Sequence, residues 1–581
     1  MIAEQLPPFL FNRTDVSDSV QIRLDLTPPS SQPVGVQMVW TPQWNRQILQ
    51  FPVWTPGSYT VRDHVQHLHS LRLSNGSSAL SSLRRLSPSR WLCDLTTLEP
   101  LTLTYAIESR DLTVRTGLVD PDFASLSLAS VAMEIEGSRW MPHHLEVSAP
   151  SHWQVHLPLE PALKGWLAKD FDALIDTPLH AGPFGVKPFS VHGHRHDLLL
   201  IGSPPFGWPE GFITDIERVC QVTCDLMGTP PPAGDRYQLV LQLLEKGYGG
   251  LEHDHSAVLQ FNWSALASKK GYRQLLQLIG HEYLHQWNVR RLRPVELRPY
   301  DYSQPVISEG LWFAEGITSY YDLFLPLWAG CSDEAMLLED FGAELSSVLM
   351  SPGRSIQSLS MSAEEAWVKL YKATPASRDT QISYYRLGAA VAFCLDVRLR
   401  SLGSSLPVLL RHLWSTYGES CRGFCRDDLH QWLTSVDIGL PAELDQWLDD
   451  TSAVPLEQSA ELLGLRLVPV QQKSPHHGLM LKQSAGDLVV QRVMHNSPGM
   501  RADLVVGDEI LAINGFRVRC IDAVADLMRN CRDVKLSFAR RGLMKETLLQ
   551  PETAIESWRL DMDPQASTGQ LALREEWFKK V

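Results

Sequence analysis

Between about residues 18 and 160 the apolar positions alternate or run in short blocks. VQIRLDL (20–26), VGVQMVW (34–40), RQILQFPVW (46–54) and LTLTYAIES (101–109) read as strands, separated by clusters of Pro, Ser, Asn and Gly. SSLRRLSPS (81–89) reads as a loop. Many strands without interleaved helices predict a β-sandwich-like domain. Near residue 170 the period becomes helical. GFITDIERVCQVTCDLMG (211–228) has helical spacing and stops at Gly228, ahead of Pro230, Pro231 and Pro232. RYQLVLQLL (236–244) predicts a strand, a long helix covers about 271–288, and mostly helical sequence follows from about 309 to 450. The string GDLVVQRVMHNSPGMRADLVVGDEILAINGFRV (486–518) then reads strand, turn, short helix, strand and Asn-Gly turn. Beyond about residue 550 no clear pattern remains.

The pattern predicts a multidomain α+β protein: a β domain over 1–170, a mixed domain of strands and helices over 171–330, a helical domain over 331–455, a second β-rich module over 456–552 and a tail over 553–581. The formal net charge of −14 argues against a general binder of nucleic acid or anionic membrane. No apolar run has membrane-spanning length, and the first fifteen residues, MIAEQLPPFLFNRTD, lack the apolar core of a signal peptide. The nine cysteines are scattered, with Cys220/Cys224 and Cys421/Cys425 four apart and no C-x-x-C. They read as reduced thiols, which suits a cytoplasmic protein.

The chemistry concentrates in QLLQLIGHEYLHQWNVRRLRP (274–294), where His281-Glu282-x-x-His285 forms an H-E-x-x-H motif. Histidines at i and i+4 project from one helical face, so two imidazoles can hold one Zn²⁺. Glu282 is rotated off that line, free to act as a general base rather than a ligand. A catalytic zinc needs a third protein ligand. SEGLWFAEGITSYY (308–321) offers Glu309 and Glu315 in an apolar, aromatic run. On one continuous helix these acids would lie roughly 120° apart around the axis, so only one could face the metal. The histidine clusters at 64/67/69, 143/144, 192/194/196 and 476/477 lack an acidic or Cys companion at ligand spacing and read as structural or solvated; His192, His194 and His196 would share one strand face.

Trp312-Phe313-Ala314-Glu315-Gly316 resembles the Trp-x-x-Glu-Gly segment that supplies the third zinc ligand in gluzincin aminopeptidases, which selects Glu315. Gly249-Gly250-Leu251-Glu252-His253 resembles their Gly-x-x-Glu-Asn strand, with His253 in place of Asn. That likeness implies substrate binding at Gly250 and Glu252, the glutamate holding the free α-ammonium. A fixed carboxylate there would select a charged N-terminus over an internal amide. Tyr385-Arg386-Leu387-Gly388 resembles the Tyr-x-x-Gly element whose phenol donates to the oxyanion, with Tyr384 as the alternative donor. Together with FPVWTPGSYTVRDHV (51–65) and the Trp-Asn-Val-Arg-Arg-Leu-Arg-Pro extension (287–294), these segments resemble the glycyl aminopeptidase family of gluzincins. The resemblance spans about residues 18–550. It implies an N-terminal β domain, a thermolysin-like catalytic domain, a helical domain and a C-terminal PDZ domain. It also implies one Zn²⁺ per chain and removal of small N-terminal residues, Gly or Ala foremost, from peptides by metal-activated water with Glu282 as base.

The PDZ expectation also stands on its own residues. Ser497-Pro498-Gly499, Gly507-Asp508-Glu509-Ile510 and Ile513-Asn514-Gly515 follow the order of bacterial-type PDZ domains. Leu463-Gly464-Leu465 would begin a loop that captures a peptide C-terminus or adds a strand; the alternative is a packing module with a closed groove. Two further functions stay open at this level: a zinc endopeptidase, and a PDZ-based scaffold with a vestigial zinc site.

Overall fold

The computed structural model describes residues 19–27, 33–75, 78–79, 83–484 and 486–580. The N-terminal stretch read above for targeting lies outside the described residues.

The strands expected in the first third form as Val20–Asp25, Val34–Trp40, Arg46–Gln50 and Leu101–Ile107. They fall in one eight-stranded and one four-stranded sheet, which with a second four-stranded sheet surround a shared apolar core. Leu83–Ser87 is an exposed strand paired with Arg90–Asp94, where the polar sequence predicted a loop; pairing with one neighbour needs no apolar alternation. Pro178–Gly182 pairs with Ala124–Ser127 in one of these sheets, so the β domain runs past the boundary drawn at residue 170.

The catalytic region is built on a five-stranded sheet. Its strands are β1 (Gly185–Val191), β2 (His194–Ile201), β3 (Arg236–Leu244), β4 (Tyr248–Glu252) and β5 (Ser256–Asn262), in the order β1-β2-β3-β5-β4. β4 pairs antiparallel with β5 and forms one edge. His192 sits in the β1–β2 hairpin at φ 48° rather than on a strand face with His194 and His196. Helix α1 (Phe212–Met227) follows its predicted span closely, whereas α2 (Lys269–Leu284) ends four residues before the expected 288, with His285 as its C-cap. Gly228 ends α1 at φ 71°, and Ser268 caps α2 by accepting from Gly271 N at 3.0 Å. Helix α3 (Ile317–Trp328) crosses α2, and α4 (Tyr384–Ser401) packs on α3.

The C-terminal third departs most from the sequence reading. Strand β6 (Leu465–Gln471) pairs antiparallel with β7 (Ile555–Met562), leaving the PDZ sheet of residues 479–549 inserted between them with its own apolar core. Leu463-Gly464-Leu465 is therefore not a carboxylate-binding loop: it leads into β6, and the Gly464 carbonyl accepts from Asp563 N at 2.8 Å. The PDZ strand order expected from sequence does form, through Asp487–Val493, Pro498–Arg501 and Glu509–Ile513. One edge strand is Leu479–Ser484, paired on one side with Asp487–Val493, and the other is Leu543–Leu549. The tail, unreadable from pattern, folds back as helix α5 (Thr568–Phe578). Trp577 is fully buried against Phe324, Phe341 and Phe393 and donates to Tyr320 Oη at 2.7 Å. No helix among the described residues is long and apolar enough to cross a membrane.

Candidate active site

Helix α2 buries Leu275, Leu276 and Ile279 and ends where His281 and His285 face the domain centre. Their rings lie 4.7 Å apart and nearly perpendicular. The Nε2 atoms of His281 and His285 approach Glu315 Oε2 at 3.5 and 3.2 Å. Both Nδ1 atoms are already engaged, donating to Asp322 Oδ2 at 2.9 Å and to the Asn288 carbonyl at 2.6 Å. Such contacts fix the ring orientation and leave Nε2 free to ligate. Three donors on a tetrahedral metal with bonds of about 2.0–2.2 Å lie roughly 3.3–3.5 Å from one another, so the observed spacing fits zinc. Glu252, Glu282 and His285 also cluster within 4.8 Å. That set is the weaker candidate, because the one free nitrogen of His285 already faces Glu315.

Glu315 owes its position to an irregular backbone. Residues Trp312–Gly316 are π-helical before α3 continues as an ordinary helix. Asn288 Nδ2 donates to the Phe313 and Ala314 carbonyls, each at 3.1 Å, holding that wide turn to the end of α2. Glu309 precedes the helix in a turn where Gly310 N donates to Ser308 Oγ, so the 120° argument, which required one continuous helix, does not apply. Glu309 instead pairs with Arg426, Oε2 to Nη2 at 2.5 Å and Oε1 to Nε at 3.0 Å.

The site holds excess negative charge. Burial pushes the Glu315 carboxyl up, but His285 and His281 outweigh it and hold the group at about 2. Burial raises Glu282 to about 7 and Asp322 to about 6, although the imidazoles pull both down. With Glu252 and Glu344, five carboxylates line a cavity of about 340 Å³, against two imidazoles and the guanidinium groups of Arg115 and Arg386. A divalent cation there would offset part of that charge.

The remaining candidates line the same cavity. Glu282 Oε2 has no hydrogen-bond partner, and edge strand β4 runs so close that a Cβ on Gly250 would lie 2.2 Å from Glu282 Oε1. Glu252 is buried with Oε1 unpartnered. Gly57 of the β domain walls it in: at φ 80°, its Cβ would fall 2.4 Å from Glu252 Oε2. Tyr385 lines the cavity, whereas Tyr384 is fully buried and stacks on it with ring centroids 4.7 Å apart. Tyr371 Oη lies 2.9 Å from both phenol oxygens. Sequence reasoning missed Asp322, Asn288, Tyr371, Gly57 and Arg115. Only Asp322 had a local signal, lying seven residues after Glu315 and hence on the same helical face.

The basic extension after α2 locks the β domain to the site. Arg290 is buried, with Nη2 at 2.8 Å from Asp176 Oδ1 and Nε at 2.9 Å from Asp254 Oδ1. His253, which stands where the resembling family has Asn, also reaches Asp176 Oδ1, at 3.2 Å. Arg290→Met is expected to cost about 3–5 kcal/mol, because it strands two carboxylates. Denaturant unfolding would measure this, and an unchanged midpoint would refute it.

Residues 274–391 match the family profile of M61 glycyl aminopeptidase, residues 21–183 the Peptidase M61 N-terminal domain, and residues 489–539 a PDZ domain. An aminopeptidase N family protein from Idiomarina loihiensis superposes with a TM-score of 0.88 at 26% identity, covering 96% of this chain and 100% of that one. An M1 zinc metallopeptidase from Deinococcus radiodurans aligns more loosely, with a TM-score of 0.48 at 14% identity over 76% of this chain and 95% of that one. No curated protein sequence matches. The H-E-x-x-H helix and both M61 profiles lead to one assignment: the chain belongs to the M61 glycyl aminopeptidase family of zinc metallopeptidases, with a PDZ domain C-terminal to its catalytic region.

Proposed function

We propose that the chain is an aminopeptidase that binds one Zn²⁺ through His281, His285 and Glu315 and removes Gly or Ala from the N-terminus of peptides. The observation that carries this reading is Glu252, a buried carboxylate with an unpartnered oxygen in the same cavity as the three ligand candidates. An α-ammonium donates to that oxygen and compensates its buried charge, whereas the N–H of an internal amide leaves the charge uncompensated. The metal, when bound, supplies Lewis-acid polarisation of the scissile carbonyl and lowers the pKa of water. Glu282 takes the proton of the attacking water and passes it to the leaving amine. Tyr385 donates a hydrogen bond to the developing oxyanion, its phenol oriented by Tyr371. The outer edge of β4 offers backbone groups at Gly249 and Gly250 along which a peptide can lie. The preference for small residues follows the family's name. The edge strand Leu479–Ser484 of the PDZ domain is open to strand addition by a further peptide. Nine free thiols suit a reducing compartment such as the cytoplasm.

A panel of aminoacyl 4-nitroanilides, free and N-acetylated, tests the reading. The glycyl and alanyl substrates are expected to turn over, to stop with a chelator and to recover with Zn²⁺. Acetylation is expected to abolish cleavage. Internal cleavage of blocked peptides would instead make it an endopeptidase. Stoichiometric zinc with no hydrolysis would leave the scaffold reading.

A further inference from the structure

The cavity is acidic around the metal-ligand candidates, but the β domain also brings a cation, Arg115, to its wall. Arg115, in the loop before strand Gly117–Val119, lines the cavity with Glu252 and Glu282. Its Nη2 reaches the Gly250 carbonyl at 3.4 Å, a long contact, and its Nε is buried with no hydrogen-bond partner. Arg62 comes from the TPGSYTVRD segment that also supplies Gly57. Its Nε and Nη2 both donate to Ser58 Oγ, each at 3.3 Å. Burial, and next the charge of Arg115, push the Arg62 guanidinium down to about 10. Among the described residues neither arginine forms an ion pair. The cavity's other arginine, Arg386, has Glu344 at 3.5 Å, and buried Arg290 has two aspartates. Asp111 offsets part of the charge on Arg62, whereas the buried Nε of Arg115 has lost its hydration without gaining a partner, a cost that a bound anion offsets.

We propose that Arg115, backed by Arg62, is an anion subsite that takes the free α-carboxylate of a short peptide, so that the enzyme reads both ends of its substrate. The inference rests on the aminopeptidase reading, in which Glu252 holds the opposite end. A di- or tripeptide is a zwitterion, and the lining of the cavity offers it both a carboxylate, Glu252, and a guanidinium, Arg115. The same chemistry could engage an aspartyl or glutamyl side chain. Arg115 could also merely staple its loop to β4 through Gly250, a role indifferent to the charge of the substrate.

The test compares kcat/KM for Ala-Ala-Ala, its C-terminal amide and Ala-Asp-Ala amide in wild type, Arg115→Gln and Arg115→Lys. Wild type is expected to favour the free acid over the amide by roughly tenfold or more, the scale of a charge-assisted hydrogen bond. Arg115→Gln is expected to bring that ratio close to one, and Arg115→Lys to restore part of it. The ratio within one variant cancels general damage to the site. Equal rates for acid and amide in wild type would overturn the proposal without any variant. So would a preference that survives Arg115→Gln. A preference confined to the aspartyl amide would keep the anion subsite but overturn the terminal-carboxylate assignment. Titration calorimetry of the same peptides on the Glu282→Gln protein reads the acid-over-amide ratio in Kd. Failure of the aminopeptidase reading would leave that ratio intact, whereas failure of this proposal would bring it to one.

Discussion

Glu282→Gln is expected to lower kcat by roughly two to four orders of magnitude, the range for loss of a positioned general base. The substitution preserves shape and removes only the ability to carry the proton. Gln at this position still fits beneath Gly250, where a Cβ would lie 2.2 Å from Glu282 Oε1 and the packing tolerates no larger group. Metal content is expected to stay near one per chain, because Nε2 of both histidines and Glu315 Oε2 meet without help from Glu282. The pairing of outcomes matters more than either alone. Lost turnover with lost zinc would place Glu282 in the ligand set, the arrangement that the cluster of Glu252, Glu282 and His285 permits. Near-normal turnover would remove it from the chemistry. Plasma emission spectrometry and steady-state kinetics on one preparation decide between these results.

What the sequence made legible was what lies close together along the chain. The i, i+4 histidines, the helix stop at Gly228 and the strand Arg236–Leu244 all follow from local periodicity and chemistry. Glu315 lies thirty residues beyond His285, and no spacing rule connects them; a resemblance to Trp-x-x-Glu-Gly was needed. Period two identifies β6 and the PDZ strands as strands but says nothing about their partners. Leu463-Gly464-Leu465 looked like the start of the PDZ groove for that reason, while β6 pairs with a strand some ninety residues later. Trp577 had no visible reason to be buried, because the aromatic cage that receives it comes from three other helices. The β domain's share of the site, Gly57 and Arg115, was hidden by the same non-locality.

Glu315→Ala and Glu309→Ala separate the two acids of SEGLWFAEGITSYY, and the expected contrast is nearly all-or-none. Loss of Glu315 removes one of three converging donors, leaving two imidazoles, so zinc is expected to fall far below stoichiometry and activity with it. Asp322 cannot substitute, because its carboxylate is engaged with Nδ1 of His281 on the far side of the ring. Glu309→Ala is expected to retain stoichiometric zinc. Its carboxylate reaches Arg426 instead, and that guanidinium keeps Asp449 at 2.6 Å and Asp445 at 3.3 Å. The remaining contacts limit the loss to about 1 kcal/mol or less for a partly exposed pair. A reversed result, with zinc lost from Glu309→Ala and kept in Glu315→Ala, would require the π-helical turn to unwind and the ligand to shift by six residues. The Asn288 contacts to the Phe313 and Ala314 carbonyls oppose that shift, so they make the contrast between the variants a test of the turn as well as of the ligand.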